Sequence, residues 1–341
     1  MINLSILIPV YNEEKFINAF WDFLQEQDLP SDSYEVIFID GNSTDHTLEE
    51  LNKIKERNEN LAIKILSNPK RMIATSLNVG LKECAGDYVV RLDVHSRIPV
   101  NYLSEIYLLL QSEPLKYCNV GGRTVTQGYD PYSTLVAKAL SNKWVIGGAK
   151  FRYSSKVEEV DTLFPGAWLK QDLLLVGGWN EEWKINEDVE LNCRLRKETL
   201  KKIILNPSIE IFYFPRNTMR GLVKQYFNYG YWRIKTANAH QESIRLSHIL
   251  PLFVLFWLLA AGGLLVLDPE LFLYFSILSI SLYAVYMLSL GMALFKPKDI
   301  AIGLTIIFIV QSSWIIGSYA GYVKFGFPFT GYLALFKRSL V

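Results

Sequence analysis

The chain has 341 residues, half of them apolar, with 35 Lys+Arg against 34 Asp+Glu and a formal net charge of +1. That length allows more than one domain, and the balanced charge excludes a protein that holds nucleic acid by bulk electrostatics. Cys84, Cys118 and Cys193 are too scattered for a metal knuckle or a disulfide framework, which favours a reducing compartment.

Met1-Ile2-Asn3 leads straight into an apolar run, without a basic region or a small-residue cleavage site, so no signal peptide is expected. Leu4–Val10 reads as a buried strand ending near Pro9. Lys15–Gln27 repeats Phe16, Phe20, Phe23 and Leu24 at helical spacing. Glu35–Ile39 is a second strand, closed by Asp40-Gly41-Asn42. Ser43 or Thr44 then suits a helix cap, with Asp45 in the first turn. Ala62–Leu66 (strand), Ile73–Cys84 (helix) and Tyr88–Leu92 (strand) follow. Strand alternating with helix is the pattern of a parallel sheet with crossovers. Ligands bind beyond the carboxyl ends of such strands. Three polar clusters fall there: Pro9 to Glu13, Asp40 to Ser43 and Asp93-Val94-His95. Further on come glycine pairs at Gly121-Gly122 and Gly147-Gly148, an aromatic, glycine-bearing stretch from Phe164 to Trp179, and a helix beginning at Asn186.

Beyond Arg245 the composition changes. Three apolar stretches, about 249–267, 271–295 and 300–323, are each near or above the length a helix needs to cross a bilayer. Lys224, Arg233, Lys235 and Arg245 precede the first, Asp268 and Glu270 follow it, and Lys296 and Lys298 follow the second. The positive-inside rule then puts the preceding domain in the cytoplasm and returns the chain there after two crossings. A third crossing would leave Lys337 and Arg338 outside, against the rule, so the third stretch reads as either spanning or re-entrant and interfacial.

Ile6-Leu7-Ile8-Pro9-Val10-Tyr11-Asn12-Glu13-Glu14, followed by Val36-Ile37-Phe38-Ile39-Asp40-Gly41-Asn42-Ser43-Thr44-Asp45, resembles the opening of the family 2 glycosyltransferases, over roughly residues 3–235. The resemblance implies an α/β GT-A fold, with a Rossmann-like, mostly parallel sheet. It implies a catalytic domain over 1–235, including an amphipathic interface segment at about 216–245, and a membrane domain over 246–341. Carried onto this chain, it makes Pro9, Tyr11, Glu13 and Asp40 nucleotide contacts, although Asp40 also suits a plain turn and Glu13 an exposed helix start.

Arg91-Leu92-Asp93-Val94-His95 is similar to the family's metal segment, usually Asp-x-Asp. A departing nucleotide diphosphate needs its charge neutralised, and a hard divalent cation on a carboxylate does this. The resemblance therefore implies Mn²⁺ or Mg²⁺ at Asp93 and His95, with His95 shifting the balance towards Mn²⁺ or acting on phosphate directly. Arg71 and Arg91 carry the guanidinium fork suited to phosphate or sugar.

Gly177-Gly178-Trp179-Asn180-Glu181 and then Asn186-Glu187-Asp188 resemble the family's Glu-Asp acceptor motif. The resemblance makes Asp188 the base for an acceptor hydroxyl and Glu187 its positioner; the plain alternative is a helix cap at Asn186. Asp93-Val94-His95-Ser96, Gly147 to Arg152, Asn186 to Asp188 and Gln225 to Gly230 together look like the succinoglycan-biosynthesis type, which extends a lipid-linked oligosaccharide. Gly148, Arg152, Trp168, Trp179, Gln225, Tyr229 and Trp232 are then candidates for the sugar or acceptor pocket, with stacking on sugar faces or membrane anchoring open for the aromatic ones of residues 225–233.

The implied partners are a nucleotide-diphosphate sugar, UDP-linked by first expectation, a lipid-linked saccharide and membrane lipids, with self-association through the apolar helices also open. The implied reaction is inverting transfer to a hydroxyl in cell-surface polysaccharide synthesis, by a multi-pass protein of the cell membrane. Transfer to a polyprenyl phosphate, a processive synthase and a degenerate membrane scaffold are the competing readings.

Overall fold

The computed structural model describes residues 2–339, with side chains to residue 336, so the Lys337 and Arg338 side chains lie outside the described residues. The chain divides into two compact units: residues 1–125 with 149–214, and residues 126–148 with 215–341. The excursion 126–148 thus groups with the second unit.

In the first unit the elements run β1 (Leu4–Val10), α1 (Ile17–Gln25), β2 (Tyr34–Asp40), α2 (Thr47–Arg57), β3 (Ala62–Ser67), α3 (Ile73–Glu83), β4 (Tyr88–Arg91), β5 (Ser96–Arg97), α4 (Tyr102–Ser112) and β6 (Tyr117–Thr126). The second unit's excursion carries α5 (Pro131–Leu140) and α6 (Lys143–Ile146). The first unit resumes with β7 (Glu158–Val160), β8 (Ala167–Leu169), α7 (Lys170–Leu175), α8 (Glu187–Thr199) and β9 (Lys202–Tyr213).

The strands form one sheet in the order β3-β2-β1-β4-β8-β6-β9-β5, with β7 on β9. The first four are parallel, and the apolar runs of β1 and β2 are buried from both sides, as helix crossovers on both faces require, while the edge strand β3 is only partly covered. From β4 to β8 onward the observed pairings turn antiparallel. The sheet is therefore mixed: its parallel part is the first four strands, which follow the repeated strand–helix alternation that crossovers need.

One core lies on each side. Leu4, Ile6 and Ile8 point into one with Phe20, Trp21 and Leu103; Leu7, Ile37 and Ile39 point into the other with Leu77, Trp168 and Leu191. Alternate residues of a strand face opposite ways, which places Ile6 and Leu7 in different layers.

The second unit continues with α9 (Met219–Ala239), α10 (Leu250–Leu267), α11 (Pro269–Leu294), α12 (Ile300–Phe325) and α13 (Phe329–Ser339). Three helical stretches, Leu246–Leu267, Pro269–Leu294 and Pro297–Phe325, are long and apolar enough to cross a membrane. Thr218 caps α9 by accepting from the Gly221 amide, and Asp268, between two proline-started helices, caps α11 through the Leu271 amide.

Candidate active site

The loops after β1 and β2 are stitched together. Asn12 Oδ1 accepts from the Thr44 amide at 2.8 Å, and the Asn12 amide donates to Ser43 Oγ at 2.9 Å. The Glu13 amide donates to Thr47 Oγ1 at 2.7 Å. Ser43 and Thr44 therefore do not cap α2, which starts at Thr47 after an Asp45 turn. Asp40 is 4% exposed; its carboxylate accepts from Ser43 Oγ at 2.6 Å and the Ser43 amide at 3.1 Å. Burial obliges a carboxylate to be hydrogen-bonded, and Ser43 meets that need at Asp40.

Tyr11 and Arg71 are exposed in comparison. Arg71 Nη1 donates to Tyr11 Oη at 3.3 Å, with its guanidinium 5.1 Å from the Tyr11 ring centroid and Nη2 3.4 Å from the Asn42 carbonyl. Pro9 sits opposite Ile39 in the last turn of β1. Lys70, beside Arg71, pairs with Glu181 at 3.1 Å.

Among the described residues, four of the five non-glycine positions with positive φ flank these elements: Asn12, Asn42 and Arg71 after β1, β2 and β3, and Asn186 before α8. Asparagine tolerates this region through local hydrogen bonds; arginine does not, and strain of this kind gathers at functional loops.

Arg91 joins the second half. It ends β4, is 3% exposed, and donates from Nε to Asp93 Oδ1 at 3.2 Å and from Nη1 to Glu187 Oε1 at 2.9 Å. Its guanidinium lies 4.8 Å from the Phe164 ring centroid. Burial opposes the Arg91 charge, but Asp93, Glu187 and Asp188 outweigh it and hold the group protonated. Burial pushes the Glu187 carboxyl above the usual range, with Arg91 acting against the shift and Asp188 adding to it. Arg91, expected to touch phosphate, is therefore a buried bridge between the two acidic motifs, and Glu187 is buried beside it.

Asp188 is partly exposed in the first turn of α8, while Asn186 makes no side-chain cap there. His95, 43% exposed, shares a hydrogen bond of 3.0 Å with Glu13 Oε1 and packs edge-on against Phe16 at 4.7 Å. Asp93 is one-third exposed. Among the described residues no third His, Cys, Asp or Glu completes a donor set with Asp93 and His95. One carboxylate and one imidazole fit a cation whose other positions are filled by phosphate oxygens and water.

Asn78 was missed. Its Nδ2 donates to the Trp179 carbonyl at 2.8 Å and to Glu181 Oε1 at 3.2 Å, and its Oδ1 accepts from the Trp179 amide at 2.8 Å. A Cβ on Gly178 would meet Asn78 Oδ1 at 2.4 Å, and Gly178 has φ +72°, so glycine is required twice over. Asn119 and Asn192 were missed as well: Asn119 Nδ2 donates to Asn192 Oδ1 at 2.8 Å while Asn119 Oδ1 accepts from the Ala167 amide, tying α8 to the sheet. The signal was an amide inside an apolar run, Cys118-Asn119-Val120 and Leu191-Asn192-Cys193.

Trp168 and Trp179 are not pocket walls. Each is 1% exposed, and they pack edge-to-face at 5.4 Å in the core; a sugar face needs an accessible ring. In the first unit Arg152 lies between Phe151 and Tyr213, at 5.6 and 5.2 Å from their rings. In the second unit Gly147 and Gly148 pack against Ser247 and Arg245. There Gln225 donates to Tyr229 Oη at 3.1 Å, and the Trp232 ring lies 6.0 Å from that of Phe325.

A mixed sheet of this order, with polar loops at one end and an Asp-x-His turn facing a Glu-Asp helix start, defines a GT-A type sugar-transferase domain. Residues 5–169 match the model of Glycosyl transferase family 2. Over this span and beyond it the chain is similar to the family 2 glycosyltransferases, succinoglycan biosynthesis proteins among them. It is 29% identical over 251 residues to succinoglycan biosynthesis protein ExoA of Rhizobium meliloti, covering 73% of this chain and 74% of that protein. It is 29% identical over 234 residues to a Methanococcus voltae dolichyl N-acetyl-α-D-glucosaminyl phosphate 3-β-D-2,3-diacetamido-2,3-dideoxy-β-D-glucuronosyltransferase, covering 67% and 71%. Among solved structures, a Pyrobaculum calidifontis mannosyltransferase in complex with GDP-mannose and Mn²⁺ superposes with a TM-score of 0.63 at 20% identity, over 94% of this chain and 87% of that one, which shows the shared fold.

Proposed function

We propose that the protein moves a sugar from a nucleotide-diphosphate donor to a hydroxyl of a membrane-lipid-linked saccharide, with inversion, at the cytoplasmic face of the cell membrane. The observation that carries this reading is the bridge from Arg91 to Glu187, 96 residues on, which draws Asp93 and Glu187 into one cluster. Inverting transfer needs such a juxtaposition: a cation-holding carboxylate where the diphosphate leaves and a base where the acceptor attacks.

In this reading the exposed groups Tyr11 and Arg71 meet the nucleotide together with half-buried Glu13, and Asp40 holds the turn that presents them. Asp93 and His95 hold the divalent cation, Mn²⁺ or Mg²⁺, which supplies charge neutralisation for the departing diphosphate. The mannosyltransferase neighbour carries Mn²⁺ with its nucleotide sugar, in line with this assignment. Asp188 takes the proton of the acceptor hydroxyl as its oxygen attacks the anomeric carbon from the side opposite the leaving group. Buried Glu187 and Arg91 fix the start of α8 and so the direction of Asp188. A UDP-sugar is the first donor to test. Both relatives' names point to saccharide assembly, and one names a dolichyl-phosphate-linked sugar as its acceptor.

Asp188→Asn keeps the shape and removes the base. Transfer from a radiolabelled nucleotide sugar to a lipid-linked saccharide is expected to fall about a thousandfold, the usual worth of a positioned base, while donor binding persists. Near-normal turnover would sink the base assignment and favour a phosphate acceptor, which is already an anion.

A further inference from the structure

α9 and α12 run side by side in the same direction, closer than most helices approach. A Cβ on Gly230 would lie 2.1 Å from the Trp314 carbonyl oxygen; one on Gly317 would lie 2.0 Å from that of Phe227; one on Gly321 would meet the Tyr231 carbonyl and Ile234. Near their starts, Leu222 and Tyr226 share a buried cluster with Ile306, Ile307 and Val310. At the other end Asn238 Nδ2 donates to the Gly326 carbonyl at 3.0 Å. At 1.5 Å per residue the contact runs for roughly 25–30 Å, close to the thickness of a bilayer's hydrocarbon core. Along that length α9 carries Lys224, Arg233 and Lys235. If α12 crossed the membrane, α9 and these three cations would be drawn across beside it, where charge is strongly disfavoured.

The α10–α11 hairpin behaves differently. Trp257 stacks on Phe275 and donates to Ser279 Oγ, so its two helices hold each other. Leu258, Leu259, Leu278 and Leu282, midway along, are exposed. The contacts of α12 with the hairpin gather at its open end: Gly303 against Phe295, Leu304 against Gly291, Gln311 with Tyr286 at 2.8 Å, and Tyr319 Oη on the Pro251 carbonyl at 2.7 Å. α12 passes across the mouth of the hairpin and does not descend along it. Its buried residues, among them Gly303, Val310 and Gly317, face one way, while Ile302, Phe308, Ile316 and Val323 are exposed on the other.

We infer that the chain crosses the bilayer twice, through α10 and α11, and that α12 lies with α9 in the interface on the side from which α9 enters, its exposed apolar face set into the headgroup–acyl boundary. α12 by itself is apolar all round, so the two faces of a surface element come from the pair: α12 gives the apolar face and α9 the charged one, with Lys224 exposed to meet anionic headgroups. It also removes the conflict with the positive-inside rule, because Lys337 and Arg338 then stay on the side of Lys296 and Lys298. The inference rests on the membrane placement proposed above.

Single cysteines at exposed positions test it: Glu59→Cys in the first unit, Glu270→Cys at the tip of the hairpin and Thr330→Cys in α13, each in the full chain, with the three buried native cysteines as background. Each is probed with a membrane-impermeant maleimide in inside-out and right-side-out vesicles. Glu59→Cys and Thr330→Cys are expected to label only in inside-out vesicles, and Glu270→Cys only in right-side-out ones. Thr330→Cys labelling together with Glu270→Cys would mean that α12 spans, overturning the inference while leaving the membrane reading intact. All three labelling from one side, with protein released by alkaline carbonate, would overturn the membrane placement itself. A cysteine appended after Val341 gives the same readout if Thr330→Cys does not accumulate.

Discussion

Arg91 shows how one side chain sets both the electrostatics and the geometry of the site. It is buried, charged and shared between Asp93 and Glu187, so removing it strands a carboxylate that burial already pushes up. Arg91→Met is expected to destabilise the fold by about 3 kcal/mol, as breaking one side of a buried pair does. The loss should shrink on acidification. Without the guanidinium, the folded-state pKa of Glu187 rises further above its unfolded value of about 4.3. Between those two values the folded state holds a proton that the unfolded state lacks, so stability grows as pH falls. Thermal unfolding of parent and variant in detergent at pH 7.5 and 5.5 checks this; an equal gap at both pH values would assign the loss to packing alone.

Among the elements, short strands and tight loops do the positioning. β1 and β2 end level with each other, Val10 opposite Asp40, which lets Asn12, Ser43 and Thr44 stitch the two loops. Helix α3 reaches across to the Gly177–Gly178 turn through Asn78, and Arg194 of α8 grips the same turn by its Gly178 carbonyl at 2.8 Å. In the second unit glycine sets the helix spacing. Gly317→Val forces the α9–α12 pair apart and is expected to cost 1–3 kcal/mol, on the order of other overpacked cores. Gly262→Val, where nothing lies within 4 Å, should leave the unfolding temperature unchanged. If both variants unfold alike, close helix packing is not what these glycines provide.

For the whole molecule, the largest physical fact is the apolar surface of α10 and α11, which protein contacts leave open along most of its length. Surface of that extent needs lipid or detergent around it. The protein should therefore stay in the membrane pellet through high salt and alkaline carbonate and leave it only with detergent. Release by salt alone would make the attachment electrostatic. A soluble donor and a lipid-borne acceptor meet only at a surface, so an attached catalytic domain suits transfer to a membrane lipid.

The order of strands and helices in β1 to β4 was legible from the sequence because apolar period and turn residues are local properties. So were the three apolar stretches, and so were the acidic motifs at Asp93 and Asp188, whose family resemblance rests on short contiguous runs. Partnership was not legible. Nothing local says that Arg91 turns inward to Glu187 and not outward to phosphate, that Trp168 and Trp179 fill the core, or that Asp40 accepts from Ser43. Hydropathy, which measures composition, also cannot see the charged helix packed along α12. Those choices belong to tertiary structure, where burial, close approach and the need to satisfy every buried charge decide between roles that a residue's chemistry leaves open.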